Sequence, residues 1–358
     1  MSHVKLYIPG PIEVTPATLQ AMTQPMIGHR SKDFQALVES MVPGLQAVFM
    51  TKQPVFLSTS SAWGVMEGSI RNLVAKKVLN CCCGAFSDKW YDVSLACGKQ
   101  AEALRVPWGA AITPEMVEEK LSAGGFDAVT LVHNETSTGV MNPLKEIAAV
   151  VKKFPGVLLI TDTVSSLSAL PIPFDELGLD VMLAGVQKAI ALPPGLALFT
   201  CSDAAFERAA SIKDRGYYFD FLEFKKNAEN FMTPSTPALP HLYGLQFKLR
   251  EMLAEGLPAR YARHTQLNDL MHAWVRKHGF GFFAPEGYRS KTLTCVANKD
   301  GFDVAAFVSL LKKNHRIAID GGYGKIKGTT FRISNMGDET PATITALIAV
   351  LDQAMAQL

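Results

Sequence analysis

Two charged residues at the ends of predicted strands carry the chemistry that this sequence suggests most clearly. Lys188 follows the apolar run 181–186, and a stiff Pro-Pro-Gly turn comes shortly after it. Asp162 ends the apolar run that begins at residue 157. A lysine amine can form a Schiff base with an aldehyde, and a nearby carboxylate keeps a pyridine nitrogen protonated. An aspartate roughly two dozen residues before a strand-end lysine is the arrangement of an enzyme that uses pyridoxal 5′-phosphate (PLP).

Other polar residues follow predicted strands and could serve the same cavity. In an open parallel sheet, ligands bind outside the carboxyl ends of the strands. Clusters begin at Ser58, His133, Asp162 and Gln187, each at a predicted strand end. Each cluster alone has an ordinary explanation as a helix cap, a turn or a solvated rim. Four of them at one edge of a sheet predict a single pocket.

Each cluster has a task that fits its residue types. Ser61, Ala62 and Trp63 open a helix, and the N–H groups at a helix N-terminus bind phosphate well. Thr136 could donate to a ring oxygen, and Val164 faces the same way as Asp162 if the chain stays extended. Two further residues could contact a cofactor ring and a substrate carboxylate. Phe86 could stack on a cofactor ring, and Arg332, in the strand-like run 330–334, could grip a carboxylate.

The alternation of elements predicts an α/β fold. From about residue 36 to 250, apolar strands alternate with amphipathic helices, which predicts a mainly parallel seven-stranded sheet covered on both faces. The segment 213–235 is rich in aromatic residues and is predicted to be irregular. A long helix from Leu239 to Arg276 follows, with a break near Gly256. The predicted strands of the large sheet lie near 54–58, 77–83, 103–106, 127–132, 157–161, 180–185 and 196–200.

The chain should divide into an arm and two domains. Its 358 residues are more than a single hydrophobic core usually supports. We expect an extended, Pro-rich N-terminal arm over 1–20 that is not a core element. A large PLP-binding domain over 21–250 and a small C-terminal α+β domain over 251–358 should follow it.

Charge and hydropathy exclude several classes of partner. The net charge of +2 offers no basic field for nucleic acid and no single-sign patch for a membrane surface. The first ten residues lack the apolar core of a signal peptide, and no apolar run approaches the ~18 residues that span a bilayer. We therefore expect a cytoplasmic protein without a nucleic-acid or membrane partner.

The six cysteines indicate a reducing compartment and no metal site. Three of them are consecutive, Cys81 to Cys83, so that neighbours point to opposite faces of a strand. This spacing suits neither a disulfide framework nor a four-cysteine metal site. We interpret these cysteines as small buried hydrophobic residues.

On these motifs the sequence resembles a fold-type I PLP enzyme, and within that group it is similar to class V aminotransferases of the alanine–glyoxylate and serine–pyruvate type. The resemblance extends over essentially the whole chain. Its most specific parts are Gln187–Lys188 before the Pro-Pro-Gly turn and the Phe-Arg-Ile run that ends in Met336-Gly337. The motifs that carry it are 9–11, 28–31, 133–139, 162–166, 187–196, 233–237 and 331–337.

The resemblance implies a role for each site residue. Lys188 would carry PLP, Asp162 would pair with its ring nitrogen, and Thr136 would bond its phenolic oxygen. Val164 and Phe86 would sandwich the ring. The remaining roles concern the phosphate and the substrate. Ser61, Ala62, Trp63, Gln187 and, from the second subunit of a homodimer, Thr236 would hold the phosphate, while Arg332 and Gly10 would contact the substrate.

The resemblance further implies a transaminase with ping-pong kinetics. A small amino acid, alanine or serine, would give its amino group to glyoxylate or pyruvate. The phosphate loop departs from the usual Ser-Gly-Ser-Gly pattern, since Ser61-Ala62-Trp63 removes glycines and adds bulk near the substrate. The bulky Trp63 and the basic Lys325 and Lys327 leave a phosphoserine-type substrate as an alternative.

Two hypotheses for a function other than transamination stay open. A PLP lyase such as a cysteine desulfurase needs a nucleophilic cysteine on a flexible loop after the lysine. Only Cys201 and Cys295 follow Lys188, both in strand-like runs, and a desulfurase usually has His where Gln187 stands. A non-catalytic binding protein on the same fold is the other reading, although every chemical group of the enzyme is present.

Overall fold

The computed structural model of the chain describes residues 3–358, so the first two residues of the predicted arm lie outside it. A seven-stranded sheet forms its centre, and shorter sheets lie beside it. The strands in chain order are β1 (Lys5–Leu6), β2 (Val55–Ser58), β3 (Lys77–Cys82), β4 (Gln100–Arg105), β5 (Ala128–Val132), β6 (Asn134–Glu135), β7 (Val140–Met141), β8 (Leu158–Asp162), β9 (Val181–Gly185), β10 (Ala197–Cys201), β11 (Gly281–Phe282), β12 (Leu293–Ala297), β13 (Ile317–Ala318) and β14 (Thr330–Ser334).

The central sheet confirms the predicted mainly parallel α/β architecture. Its strands lie in the order β2-β10-β9-β8-β5-β3-β4, and β10 is antiparallel to both of its neighbours. The other adjacent pairs, from β9 to β4, are parallel. Only the segment 186–196 joins β9 to β10, which is shorter than the dozen or more residues of a parallel crossover. An antiparallel β10 follows from that short connection.

Helices cover both faces of this sheet. They are α1 (Pro16–Ala21), α2 (Lys32–Phe49), α3 (Ala62–Leu73), α4 (Ala85–Ala96), α5 (Pro114–Ser122), α6 (Leu144–Val151), α7 (Phe174–Leu177), α8 (Asp203–Ser211), α9 (Phe221–Ala228), α10 (Leu239–Glu255), α11 (Leu257–Lys277), α12 (Val304–His315) and α13 (Pro341–Met355). Strand residues alternate between the two faces. Val129 and Leu131 pack with α2, α5, α6 and α10, whereas Ala128 and Val132 pack with α3, α4, α8 and α9. Two apolar layers therefore enclose the sheet.

The C-terminal part has its own apolar core. Strands β11, β12 and β14 form an antiparallel sheet that packs with α11, α12 and α13. The boundary that we propose between residues 250 and 251 lies within α10, and the predicted helix break falls at Gly256, between α10 and α11.

The N-terminal segment and the aromatic segment differ from their predictions. Strand β1 pairs in parallel with β13, and Tyr7 is buried in the C-terminal core, so part of the arm does belong to a core. Residues 16–21 form α1, because the Thr15 side chain accepts from the N–H of Thr18 and Pro16 starts the first turn. The segment 213–235 contains α9, which begins after the capping Asp220.

The cysteines are free, and all except the partly exposed Cys97 are buried. Cys81 and Cys83 pack in the core layer on one face of the sheet, as expected of small hydrophobic residues on a strand. Within residues 3–358, no three His, Cys, Asp or Glu side chains gather as a metal site would require. In the same residues, no helix has the length and apolar content needed to cross a membrane.

Candidate active site

The candidate active site is a cavity at the carboxyl edge of the central sheet. Strands β2, β3, β5, β8 and β9 run in one direction, so the residues that follow them meet at this edge. The cavity holds about 260 Å³. Its lining includes every residue predicted to bind cofactor from within the same chain. The lining residues are Gly10, Pro11, Ser61, Ala62, Trp63, Met66, Phe86, Val132, Thr136, Asp162, Val164, Gln187, Lys188 and Pro194.

Lys188 presents a buried amine to this cavity. It lies three residues after β9, in a tight turn in which its carbonyl accepts from the N–H of Ala191 at 2.8 Å. The side chain is only 8% exposed, and its Nζ donates to the carbonyl of Pro9. Burial, and then the positive charge of Arg332, lower the pKa of the Lys188 amine to about 8. A lysine with this pKa exchanges protons readily near neutral pH.

Asp162 presents a buried carboxylate to the same cavity. It is the last residue of β8 and is 6% exposed. One oxygen, Oδ1, accepts from the N–H of Val164 at 2.7 Å, and Oδ2 has no hydrogen-bond partner within residues 3–358. Burial raises the pKa of Asp162 to about 7. A buried carboxylate with one free oxygen is suited to a cationic N–H donor.

Asp162 should make the stability of the ligand-free protein depend on pH. Its carboxyl pKa lies at 3.8 ordinarily and at about 7 in the fold, so its contribution to stability is complete below pH 3.8. That contribution declines as the pH rises to 7, by on the order of 4 kcal/mol. We expect urea unfolding at pH 4 and pH 7 to show this decline in the wild type relative to Asp162→Asn. An equal difference between the two proteins at both pH values would contradict it.

The N-terminus of α3 forms part of the cavity wall. Ser61 is its N-cap residue, but the Ser61 side chain makes no capping hydrogen bond. The Ser61 hydroxyl and the N–H groups of Ala62 and Trp63, in the first turn of a twelve-residue helix, therefore have no intrahelical partners, and these residues line the cavity. Gln187 also lines the cavity. An anion fits this end of the cavity.

Glu135 was missed by the sequence reasoning, although it helps to place Phe86. The carboxylate of Glu135 is fully buried and accepts from the N–H of Ser87 at 3.0 Å and from its hydroxyl at 2.9 Å. It also accepts from the N–H of Phe86 at 3.4 Å. Glu135 thus caps α4, whose N-cap residue Gly84 has no side chain to do so. A glutamate in a polar run after a strand was the available signal.

Arg332 lies beside the cavity in a buried network. Its side chain is 4% exposed, and its Nε donates to Asp320 at 2.8 Å. Its Nη1 donates to the carbonyl of Thr136 at 2.8 Å, and the Thr136 hydroxyl bonds the Ser165 hydroxyl at 2.5 Å. Within residues 3–358, Nη2 has no hydrogen-bond partner. The guanidinium therefore keeps donors for a carboxylate next to Thr136.

Thr236 is the predicted cofactor-binding residue that the structure does not bring to this cavity, and Arg332, predicted to bind substrate, lies beside the cavity without lining it. It is exposed and does not line the cavity of its own chain. Arg30 holds the start of its loop by donating to the carbonyls of Thr233 at 2.7 Å and of Pro234 at 3.2 Å. A role for Thr236 in a second subunit stays a prediction.

Gly10 approaches Lys188 so closely that a larger residue would displace the amine. A Cβ at Gly10 would lie 2.6 Å from Cδ and Nζ of Lys188. Both Gly10 and Gly98 have positive φ, but a Cβ at Gly98 would meet no atom of residues 3–358 within 4 Å. We expect Gly10→Ala to lower the catalytic rate at least about tenfold, whereas Gly98→Ala shows only the backbone cost of ~1–2 kcal/mol in unfolding. Equal activity of the two variants would refute this role.

Comparisons with known proteins agree with this geometry. The sequence profile described as "Aminotransferase class-V" matches residues 84–333, and the chain belongs to this family of PLP-dependent transaminases. Three similar proteins illustrate how far the likeness extends.

An uncharacterised aminotransferase of Methanocaldococcus jannaschii is 38% identical, covering 99% of this chain and 93% of that relative. A serine–glyoxylate aminotransferase of Methylorubrum extorquens is 33% identical, covering 96% of this chain and 89% of that relative. The crystal structure of an alanine–glyoxylate aminotransferase from Nostoc superposes with a TM-score of 0.94 at 29% identity, covering 99% of this chain and 96% of that one.

Proposed function

We propose that this aminotransferase moves the amino group of alanine or serine to glyoxylate or pyruvate, with PLP held in the cavity at the sheet edge. The observation that carries the proposal is the pair of buried groups, Lys188 and Asp162, which open on one cavity. The names of the relatives from Methylorubrum extorquens and Nostoc support glyoxylate as the acceptor.

The residues of the cavity fit both the ring nitrogen and the phosphate of PLP. The free oxygen of Asp162 suits the protonated ring nitrogen, and the uncapped N-terminus of α3 at Ser61 suits the phosphate. Phe86 and Val164 line the cavity, as a ring sandwich requires, and the Thr136 hydroxyl is within the same lining. When bound, PLP supplies a reactive carbonyl and an electron-withdrawing ring.

Three side chains of the protein bind the substrate, transfer its proton and stabilise the charge on the ring. Arg332 binds the substrate carboxylate through its free N–H donors, which fixes the Cα–H bond relative to Lys188. The Lys188 amine takes that proton and later returns it, and its lowered pKa of about 8 suits both steps. Asp162 stabilises positive charge at the ring nitrogen by its own negative charge.

We further propose a cytoplasmic homodimer in which the loop 233–236 reaches the partner's phosphate site. The loop is held by Arg30, while the Thr236 side chain is exposed and outside its own cavity. A shared site would make activity depend on protein concentration.

A lyase of the cysteine desulfurase type has little support in this structure. Cys201 and Cys295 both lie in strands and are buried, and burial raises the pKa of both thiols. A thiol in that state is a poor nucleophile. For a phosphoserine-type substrate, Lys325 would have to face the cavity, but its Nζ lies 4.2 Å from the Trp108 ring centroid.

Ser61→Ala tests the phosphate end of the cavity. We expect the affinity for PLP to fall about tenfold, the effect of one lost hydrogen bond to a charged group. The free energy of unfolding should stay the same, because Ser61 makes no capping bond. Ser202→Ala is the matched control, since Ser202 does cap α8 through the N–H of Ala205. It should lose ~1 kcal/mol of stability and keep its PLP affinity; the reverse pattern would contradict the assignment.

The substrate assignment is tested with a panel of donors and acceptors. Alanine, serine, aspartate, glutamate and phosphoserine are paired with glyoxylate, pyruvate and 2-oxoglutarate, and product amino acids are measured. The proposal predicts the highest kcat/KM for alanine or serine with glyoxylate or pyruvate, and parallel lines in double-reciprocal plots. A preference for phosphoserine, or release of ammonia or sulfide without a 2-oxo acid, would overturn it.

A further inference from the structure

A second cavity adjoins the candidate active site and contains a tyrosine that the proposed mechanism does not use. This cavity holds about 490 Å³ and shares Trp63 and Phe86 with the first. Tyr323 lines the second cavity and is 42% exposed. A substrate side chain that passes Trp63 and Phe86 into the second cavity therefore enters a space that Tyr323 lines.

Tyr323 contacts both the aromatic and the cationic part of the site. Its ring stacks on Phe86, with centroids 5.4 Å apart and planes inclined by 29°. The guanidinium carbon of Arg332 lies 5.2 Å from the Tyr323 ring centroid. A ring at this distance attracts a cation and restricts its orientation. Tyr323 thus adjoins the residue proposed for the cofactor ring and the residue proposed for the substrate carboxylate.

The turn that carries Tyr323 is tied to Arg332. Asp320 Oδ1 accepts from Arg332 Nε at 2.8 Å and from the N–H of Gly322 at 2.9 Å. Gly322 has φ +93, and a Cβ there would lie 2.7 Å from the carbonyl oxygen of Thr330. One carboxylate therefore orients the arginine and holds the turn in a conformation that requires glycine.

The same loop is anchored to the helix that carries Phe86. Lys325 Nζ lies 4.2 Å from the Trp108 ring centroid. The Trp108 Nε1 donates to Asp88 of α4 at 2.9 Å. These contacts join the loop to α4 and fix the distance between Tyr323 and Phe86.

From these contacts we propose that Tyr323 determines substrate specificity: it positions Arg332 and limits the donor to a short side chain. The proposal rests on the proposed transaminase function, which it deepens. Donors as small as alanine and serine stay within the first cavity. A longer unbranched side chain enters the second cavity, whose wall Tyr323 forms together with Trp63 and Phe86.

The test compares Tyr323→Ala and Tyr323→Phe in the PLP-loaded enzyme. Lactate, which has the carboxylate but no amine, is titrated by calorimetry. We expect Tyr323→Ala to raise its Kd about tenfold, because the contact with Arg332 is lost. The kcat/KM ratio of norvaline to alanine should rise at least about tenfold, as for a gain of room for methylene groups. Tyr323→Phe should behave as the wild type.

The matched control is Tyr91→Ala, since Tyr91 also packs under an arginine, with Arg105 at 5.1 Å, but lines neither cavity. It should leave both quantities unchanged. An unchanged lactate Kd or an unchanged norvaline preference in Tyr323→Ala would overturn the proposal. If the wild type transaminates none of the amino acids, the proposed function fails separately, and the lactate titration alone decides on Tyr323.

Discussion

Lys188→Ala should reduce transamination roughly 10⁴-fold, at the upper end of the range for a proton-transferring side chain. The amine is the proposed proton carrier, and within residues 3–358 no second lysine lines the cavity. The variant should also lose the visible absorbance that depends on a covalent bond between protein and PLP. The residues that hold the phosphate and the ring are untouched, so PLP should still bind. Stopped-flow absorbance with alanine and equilibrium dialysis with PLP measure the two effects.

Lys248→Ala is an instructive control for this variant. Lys248 is also buried, but it bonds Glu251 and Asp338 away from the cavity. It should lose stability and keep the visible spectrum of the folded protein. If Lys188→Ala retained both the spectrum and more than about a tenth of the activity, far above the loss expected for a missing general base, another amine would have to carry the chemistry.

Asp162→Asn should produce the second largest effect, a loss of roughly 10²–10³-fold in kcat with a matching loss of PLP affinity. This loss lies in the lower part of the cost of breaking a buried charge pair, about 3–5 kcal/mol or roughly 10²–10⁴-fold. Asparagine keeps the shape and can still accept from the N–H of Val164, but it has no negative charge to hold a proton on the ring nitrogen. Dialysis gives the affinity, and the half-reaction with alanine gives the rate.

A cofactor analogue provides the control for Asp162. With N-methylated PLP the ring nitrogen is permanently positive, so the rate no longer depends on a carboxylate that keeps a proton there. The ratio of wild-type to Asp162→Asn activity should therefore shrink with this analogue. An unchanged ratio, or an Asp162→Asn variant as active as the wild type with PLP, would show that Asp162 does not face the ring nitrogen.

The strand-end residues show how much the sequence could predict. Each follows an apolar run, and parallel strands bring their carboxyl ends to one edge, so Asp162, Thr136 and Lys188 could be placed near one another from pattern alone. The same pattern did not predict that β10 is antiparallel, because the direction of a strand depends on the length of the connection before it. Predicted element bounds differ from the observed ones by a few residues.

Two helices were missed although their caps are visible in the sequence. Thr15 precedes Pro16, and Asp220 precedes the apolar run of α9; both are ordinary helix starts. The proline content of the first and the aromatic content of the second favoured irregular structure.

Contacts between distant segments were the least predictable part. Glu135 caps a helix that begins about fifty residues earlier, and Tyr323 meets Phe86 across more than two hundred residues. No periodic pattern encodes such pairs, since they depend on how the two parts of the chain pack together. The Gly-Gly-Tyr-Gly run at 321–324 was a usable signal, because closely spaced glycines indicate a turn. Gly322 and Gly324 do adopt positive φ there.

The most direct test of the central proposal is to locate the covalent link between protein and cofactor. PLP-loaded protein is reduced with borohydride, digested and examined by peptide mass spectrometry. We predict a pyridoxyl group on the peptide that contains Lys188, and its absence in protein first treated with excess alanine. A pyridoxyl group on a different lysine, or on none, would contradict the assignment of this site.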